Sequence, residues 1–264
     1  MQLITLTTDW GTSDFFAGMV KGRLYSTIPD VQIVDIAHDI LPYNVIQASF
    51  VVRNACLDFP AETIHIIDVD THETKDQPYV VVKYNNQYYI CADNGIPSAV
   101  FNKKEIDIVQ IKLFQDSNFY TFPAYNLFCL VASELAKSHS LESVGYVRNK
   151  LAPYTAPTYS YYPSSGRLDA SIMYIDSYGN AYLNITYEDF ESVRQGRKIK
   201  LSIGTAVAKP IKVSLSYFDS VDYGENGLVL TVSATGYMEI ALLQESAQDL
   251  LEIRLRKSVT IHFE

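Results

Sequence analysis

Basic residues are scarce in this sequence. Over 264 residues, 21 lysines and arginines stand against 30 aspartates and glutamates, a net charge of -9. No dense Lys/Arg run offsets that balance, so a polyanion would meet no basic face, and nucleic acid is not an expected partner. Cysteine is scarcer still. Cys56, Cys91 and Cys129 are scattered among apolar neighbours without CxxC or metal-ligand spacing, and an odd count argues against a disulfide framework. They read as buried thiols in a reducing compartment. No uncharged apolar run reaches the roughly 20 residues a membrane helix needs. The opening MQLITLTTDWGTSDFF also lacks the basic-then-apolar order of a secretory signal. The expectation is a soluble, cytoplasmic protein that touches no membrane.

Several chemical signatures are missing as well. The loop TTDWGTSD lacks the glycines of a dinucleotide fingerprint, and neither a phosphate-binding P-loop nor a GxSxG nucleophile elbow occurs. The five histidines, His38, His65, His72, His139 and His262, show no zinc-protease spacing, so no metal is expected.

What is present is a globular composition: 48% hydrophobic and 19% charged residues, with a mean hydropathy of +0.00. A chain of this length buries a full core without staples. The first half alternates strand-like and helix-like stretches. Leu3–Thr7, Val31–Ala37, Thr63–Val69 and Val109–Leu113 read as strands, and Tyr79–Tyr84 with Gln87–Cys91 as a hairpin. Phe15–Thr27, Val45–Leu57 and Ala124–Ala136 read as helices between them. That alternation predicts an N-terminal α/β domain, residues 1–150, with a largely parallel central sheet. Residues 151–166, with three prolines, four tyrosines and no charge, read as a linker. Residues 167–264 break into short β-runs, with helical pattern only near Glu188–Val193 and Ser246–Leu251, and predict a small β-barrel or sandwich domain.

Open α/β sheets bind ligands at the carboxyl ends of their strands. Asp9 and Asp14 follow the first strand, Asp70 follows the third, and Asp93-Asn94-Gly95 follows the hairpin. Such an acidic rim suits diol hydroxyls, an ammonium or sulfonium cation, or a metal. For Asp9 and Asp14, the alternative is that they cap the next helix. His65 and His262 lie in strand runs and read as structural. His72, beside Glu73 and two residues past Asp70, is the histidine placed for acid–base work.

The stretch TTDWGTSDFFAGMVKGRLYSTIPDVQIVDIAHDILPYNVIQASFVV, followed in order by VDTHE, ADNG, TFPAYNLF, IDSYGNAYLNI and ATGYMEIAL, resembles the S-adenosylmethionine hydroxide adenosyltransferases, the family that includes fluorinase and chlorinase enzymes. The resemblance spans nearly the whole chain. It implies an α/β domain joined to a β domain, in a homotrimer whose ligand lies between the N-domain of one subunit and the C-domain of its neighbour. It also implies displacement of methionine from the 5′ carbon of S-adenosylmethionine by water, or by a halide, with no metal or other cofactor. Such a substitution depends on in-line positioning and partial desolvation of a small nucleophile.

Carried over residue by residue, the resemblance gives Asp9 the ribose hydroxyls and Asp14 and Asp176 the methionine ammonium. It places Tyr43 along the ribose and sulfonium, Asn180 at the adenine edge and Tyr237 near the base and the methionine end. Asp70 keeps the family's water-orienting carboxylate. The partner Arg is replaced by Gln77, and the family's His-Gly-Arg-Asp reads Pro123, Ala124, Tyr125 and Asn126. The loop that normally reads Asp-Pro-Gly-Val-Gly is Asp70-Thr71-His72-Glu73-Thr74, and Thr235 stands where a halogenating member has an arginine. Proline neither transfers a proton nor donates from its backbone. Three readings follow: an enzyme in which His72 and Glu73 rebuild the lost acid–base function, with Asp70 and His72 catalytic; a nucleoside-binding protein that has lost turnover; and a structural oligomer with tyrosine-rich interfaces.

Overall fold

A computed structural model describes residues 1–102, 104–115, 118, 120–218 and 227–264. The chain divides into two compact units, Met1–Thr155 and Ala156–Glu264.

The first unit runs β1 (Gln2–Thr8), α1 (Phe16–Thr27), β2 (Val31–Ala37), α2 (Val45–Ala55), β3 (Ile64–Asp68), β4 (Tyr79–Tyr84), β5 (Gln87–Ala92), α3 (Ile96–Val100), β6 (Asp107–Ile111), a π-turn (Ala124–Phe128), α4 (Cys129–Ser138), α5 (Leu141–Val144) and β7 (Gly145–Val147). Its seven strands form one sheet in the order β2-β1-β3-β5-β4-β6-β7. The pairings of β1 with β2, β1 with β3 and β3 with β5 are parallel, and those of β4 with β5 and β6 and of β6 with β7 are antiparallel. Five strands therefore share one direction, and only β4 and β7 oppose it. The β4–β5 hairpin turns through Asn85 and Asn86 at φ 48° and 59°, the left-handed pair that a tight hairpin needs and that asparagine tolerates.

Side chains alternate across this sheet. Ile4, Leu6, Ile64, Ile66, Val81 and Ile90 pack with Val20 and Leu24 of α1 and Phe128, Val131 and Leu135 around α4. Ile67, Val80, Val82 and Tyr89 pack on the other face with Ala48 and Val52 of α2 and Ile96 of α3. Helices on both faces explain why β3 is buried along its whole length and reads as a near-continuous apolar run. Each fully buried Leu or Val contributes roughly 1.5–3 kcal/mol.

The second unit begins inside the stretch read as a linker. Its elements are β8 (Ser160–Tyr162), β9 (Arg167–Ile175), β10 (Ala181–Thr186), α6 (Tyr187–Arg194), β11 (Ile199–Ile203), β12 (Lys209–Val213), β13 (Leu228–Val232), β14 (Tyr237–Leu242), α7 (Ala247–Leu250) and β15 (Ser258–Phe263). Seven strands close on themselves, in the order β10-β14-β13-β12-β11-β15-β9 and back through β9–β10, with β8 added to β9. The unit is thus a closed barrel, not a sandwich, and closure leaves few free edges. Period-two burial along β10 and β11 sends Leu183, Ile185, Ile199 and Leu201 into a core shared with Phe190 and Ile240. The three-residue β8 carries no readable period, yet Tyr161 meets Phe263 edge-on with ring centroids 6.0 Å apart. No helix among the described residues is long and apolar enough to cross a membrane.

Candidate functional site

In the first unit, the chemistry gathers where β1 and β3 end. Thr8 and Asp68 are register partners on these parallel strands, so the loops that follow leave the sheet together at its carboxyl edge. Asp9 donates its backbone N–H to the Asp68 carbonyl at 3.4 Å, and its Oδ2 accepts the backbone N–H of Tyr43 at 2.9 Å. Tyr43 holds φ 64° and is 74% exposed, so its ring is presented outward while its backbone locks the carboxylate. Asp14 is exposed on the same loop. The helix-capping alternative for these aspartates fails, because the N-cap of α1 is Phe15 and no side chain caps the helix.

Asp70 also sits in the left-handed region, at φ 50°. Asn94 holds it there, donating from Nδ2 to the carbonyls of Val69 at 2.9 Å and Asp70 at 3.2 Å. Gln77 donates from Nε2 to the carbonyls of Asp70 at 3.3 Å and His72 at 3.2 Å. Gln77 therefore ties down the loop backbone. His72 Nδ1 lies 3.5 Å from Asp70 Oδ1, with its side chain 62% exposed. Pro123 is buried at the head of the π-turn, within an aromatic group. There Phe122 meets Trp10 edge-on at 5.1 Å and Phe16 at 5.1 Å, and stacks with Tyr125 at 6.3 Å. That packing covers the start of the π-turn with apolar surface.

Asp68 is the residue that the sequence reading passed over. It is 5% exposed, and Trp10 Nε1 donates to its Oδ2 at 2.7 Å. Burial pushes its carboxyl up to about 7; Thr71 and Trp10 favour the ionised form, and the neighbouring Asp9 charge opposes it. The signal was available: a lone aspartate in the apolar run TIHIIDV, next to the strand's end.

Two other candidates resolve as structural. Asp93 is fully buried and accepts from Arg148 at 2.9 Å and from the Ala152 backbone. His65 is buried, hydrogen-bonded to Thr5 Oγ1 at 2.7 Å and stacked on Tyr89, and burial depresses it to about 3.

In the second unit, a cavity of about 640 Å³ is lined by Asp176, Tyr178, Asn180, Tyr182, Tyr217 and Phe218, among others. The turn from β9 to β10 builds its polar end. Asp176 Oδ1 accepts the backbone N–H groups of Tyr178 and Asn180, each at 2.9 Å, and Oδ2 accepts Asn180 Nδ2 at 3.1 Å and the Tyr182 hydroxyl at 3.4 Å. Gly179 makes the turn possible: at φ 83°, a Cβ there would lie 2.2 Å from Ser246 Oγ. Behind the turn Glu239, fully buried, accepts the Tyr217 hydroxyl at 2.8 Å. Burial holds its carboxyl above the usual range, and the Asp176 charge adds to the effect. Among the described residues, none that lines the cavity is basic. Aromatic walls around a carboxylate suit a cation or a flat base. Tyr237 begins β14 and does not line this cavity. Thr235 Oγ1 bonds Ser233 Oγ at 2.7 Å. Among the described residues, no group of three or more His, Cys, Asp or Glu side chains could hold a metal ion.

Family models for the N-terminal and C-terminal domains of SAM hydroxide adenosyltransferase match residues 4–145 and 170–260. An (R)-S-adenosyl-L-methionine hydrolase of Methanocaldococcus jannaschii is 25% identical over 96% of this chain and 93% of its own length. A fluorinase of Actinopolyspora mzabensis is 22% identical over 90% of each. In structure, an uncharacterized conserved protein of Thermotoga maritima superposes with a TM-score of 0.85 at 24% identity, covering 98% of this chain and 99% of that one.

Proposed function

Because this chain belongs to the SAM hydroxide adenosyltransferase family, both of whose domain models it matches in order, we propose that it displaces methionine from the 5′ carbon of S-adenosylmethionine with water, giving adenosine and methionine. The observation that carries this reading is the turn Asp176–Asn180. It is a carboxylate fixed by four hydrogen bonds, beside an amide, in an aromatic cavity with no basic side chain among the described residues that line it. An ammonium and an adenine edge are the groups such a turn recognises. In the first unit Asp9, locked by Tyr43, takes the ribose diol, and Tyr43 and Asp14 complete the adenosyl and methionine contacts. Asp70 and His72 hold the attacking water in line with the C5′–S bond. Tyr237 is assigned to the base and methionine end, and the working assembly is a homotrimer in the cytoplasm.

A second reading, adenosyl binding without turnover, is favoured by Pro123 and Gln77. The first is buried at the head of the π-turn and carries no exchangeable proton; the second spends its amide on loop carbonyls, so neither activates water. One experiment separates the two. Purified protein is incubated with S-adenosylmethionine, with and without chloride, and adenosine, 5′-chloroadenosine and methionine are resolved, with a thermal-shift trace on the same samples. Adenosine and methionine in equal amounts, lost in Asp70→Ala, support the enzyme. A thermal shift without product supports the binding protein, and neither signal refutes both. Light scattering of the purified chain tests the trimer.

A further inference from the structure

We propose that Asp68 is the proton acceptor of the reaction: the attacking water gives its proton to the Thr71 hydroxyl, whose own proton passes to Oδ1 of Asp68. The inference rests on the hydroxide-transfer reading and adds the base that Asp70 and His72 do not supply.

Its first support is position. Asp68 ends β3 opposite Thr8, next to the Asp9 backbone and two residues before Asp70, at the edge where parallel strands meet their ligands. The second is that the carboxylate is half-anchored. Trp10 fixes Oδ2 at 2.7 Å, and the indole is itself held edge-on by Phe122 and stacked over His38, with centroids 6.0 Å apart. The third is that Oδ1 of Asp68 and Oγ1 of Thr71 are both buried and neither makes a hydrogen bond, although Thr71 is near enough to steady the charge on Asp68. Buried polar atoms without partners are few in folded proteins and each calls for an explanation, a catalytic role being one.

The fourth support is contrast. Asp9 offers an outward carboxylate tied to a backbone N–H, whereas Asp68 is enclosed, and burial brings its proton exchange to about pH 7. Two nearby carboxylates in opposed environments divide the labour: one binds, the other trades protons. The groups coupled to Asp68 are Asp9 on the β1 loop and Tyr79 on β4. Asp70, His72 and Glu73 follow on its own loop, and His38 on the next segment reaches it through Trp10.

The step balances. A lone pair of the water oxygen forms the bond to C5′, and the C5′–S bond breaks with its pair remaining on sulfur, turning the sulfonium into the neutral thioether of methionine. The water proton ends on Asp68, which releases it to solvent before the next turnover.

The sole tryptophan of the chain is the hydrogen-bond donor to Asp68, so its fluorescence reports this carboxyl directly. Tryptophan fluorescence and adenosine formation are followed from pH 5 to 9 in the wild type, Asp68→Asn, Thr71→Val, His72→Gln and His38→Gln, and adenosine formation alone in Trp10→Phe. The wild type should show one fluorescence transition near pH 7 and a kcat that rises through the same pH to a plateau. Asp68→Asn should abolish the transition and lower kcat by about 10²–10⁴-fold with unchanged affinity for S-adenosylmethionine. Thr71→Val, close in shape to the native residue, should keep the transition but move it upward, because Thr71 favours the ionised form, and lose the rate. Trp10→Phe removes the bond that favours the ionised form, and should move the kcat inflection upward by about one pH unit or more. A transition that survives Asp68→Asn, or that vanishes with His72→Gln or His38→Gln, overturns the assignment. So does wild-type kcat in Asp68→Asn. If the wild type itself makes no adenosine, the hydroxide-transfer reading falls and takes this role with it. If only the Asp68→Asn result fails, that reading stands and this one is wrong.

Discussion

Replacing Asp68 by asparagine should stabilise the first unit, and should do so only above about pH 4, by an amount that grows with pH. In the unfolded chain this carboxyl ionises near 3.8, and in the folded one near 7. Between those values the folded state binds more protons than the unfolded state, so stability falls as pH rises across the window. The span of about three units corresponds to about 4 kcal/mol once both states are fully ionised, at 1.36 kcal/mol per unit. Asparagine keeps an oxygen for the Trp10 N–H and carries no charge to desolvate. The variant should therefore match the wild type near pH 4, gain steadily through pH 5 and 6, and lead by about 4 kcal/mol at pH 8 and above. Urea unfolding followed by Trp10 fluorescence is the assay, because that indole lies in the first unit and reports its melting alone. A difference between the two proteins that is constant with pH, or largest in acid, would refute the reasoning, since only a carboxyl neutral in the folded state gives this slope.

Three further perturbations follow from the second unit. Gly179→Ala forces a side chain into the left-handed region and against Ser246; we expect a loss of about 2–4 kcal/mol, partly recovered by pairing it with Ser246→Gly in a double-mutant unfolding cycle. Tyr217→Phe removes the hydroxyl that Glu239 accepts and that favours its ionised form. It should cost about 1–3 kcal/mol, more at pH 8 than at pH 5, because the carboxyl's proton affinity then rises further above its unfolded value. Asp176→Asn substitutes a donor for one of two oxygens that each accept two hydrogen bonds. Calorimetric titration should show S-adenosylmethionine binding weakened by about 10–100-fold, as expected when a charged partner is lost.

Much of this architecture was legible because its signals are local. The alternation in AYLNIT and KIKLSI, the apolar run TIHIID and the helical spacing of VIQASFVVRNA are each set by the period of the element that buries them. The carboxylates at the strand ends were legible for the same reason, since a strand followed by an aspartate puts that side chain at the sheet's rim. Three features were not. The strand at Ser160–Tyr162 is defined by pairing with β9, not by its own pattern, and proline and tyrosine around it read as linker. The closure of the barrel depends on the β9–β10 pairing, which joins the ends of a sheet. Asp68 was overlooked because its environment is made by distant residues: Trp10, the Asp9 backbone and a buried threonine. The string TIHIIDVD marks a lone aspartate in an apolar run, but not that Trp10 will anchor one of its oxygens.

The replacements at positions 77 and 123 look at first like the erosion of a site, but their surroundings argue for substitution of one device by another. Gln77 is engaged with two carbonyls of the Asp70 loop, and Asn94 braces the same backbone from the other side. Both brace Asp70 at a positive φ, a conformation that aspartate tolerates better than most residues. Pro123 sits where Phe122 packs on Trp10, and Trp10 is the residue that pins Asp68. A site released from its chemistry has no reason to retain a buried carboxylate with an unpartnered oxygen, at a cost to stability that one asparagine would remove. In this chain the aromatic packing around the start of the π-turn is the same packing that fixes the donor to Asp68. On the proposed assignment the acid–base function lies at the end of β3.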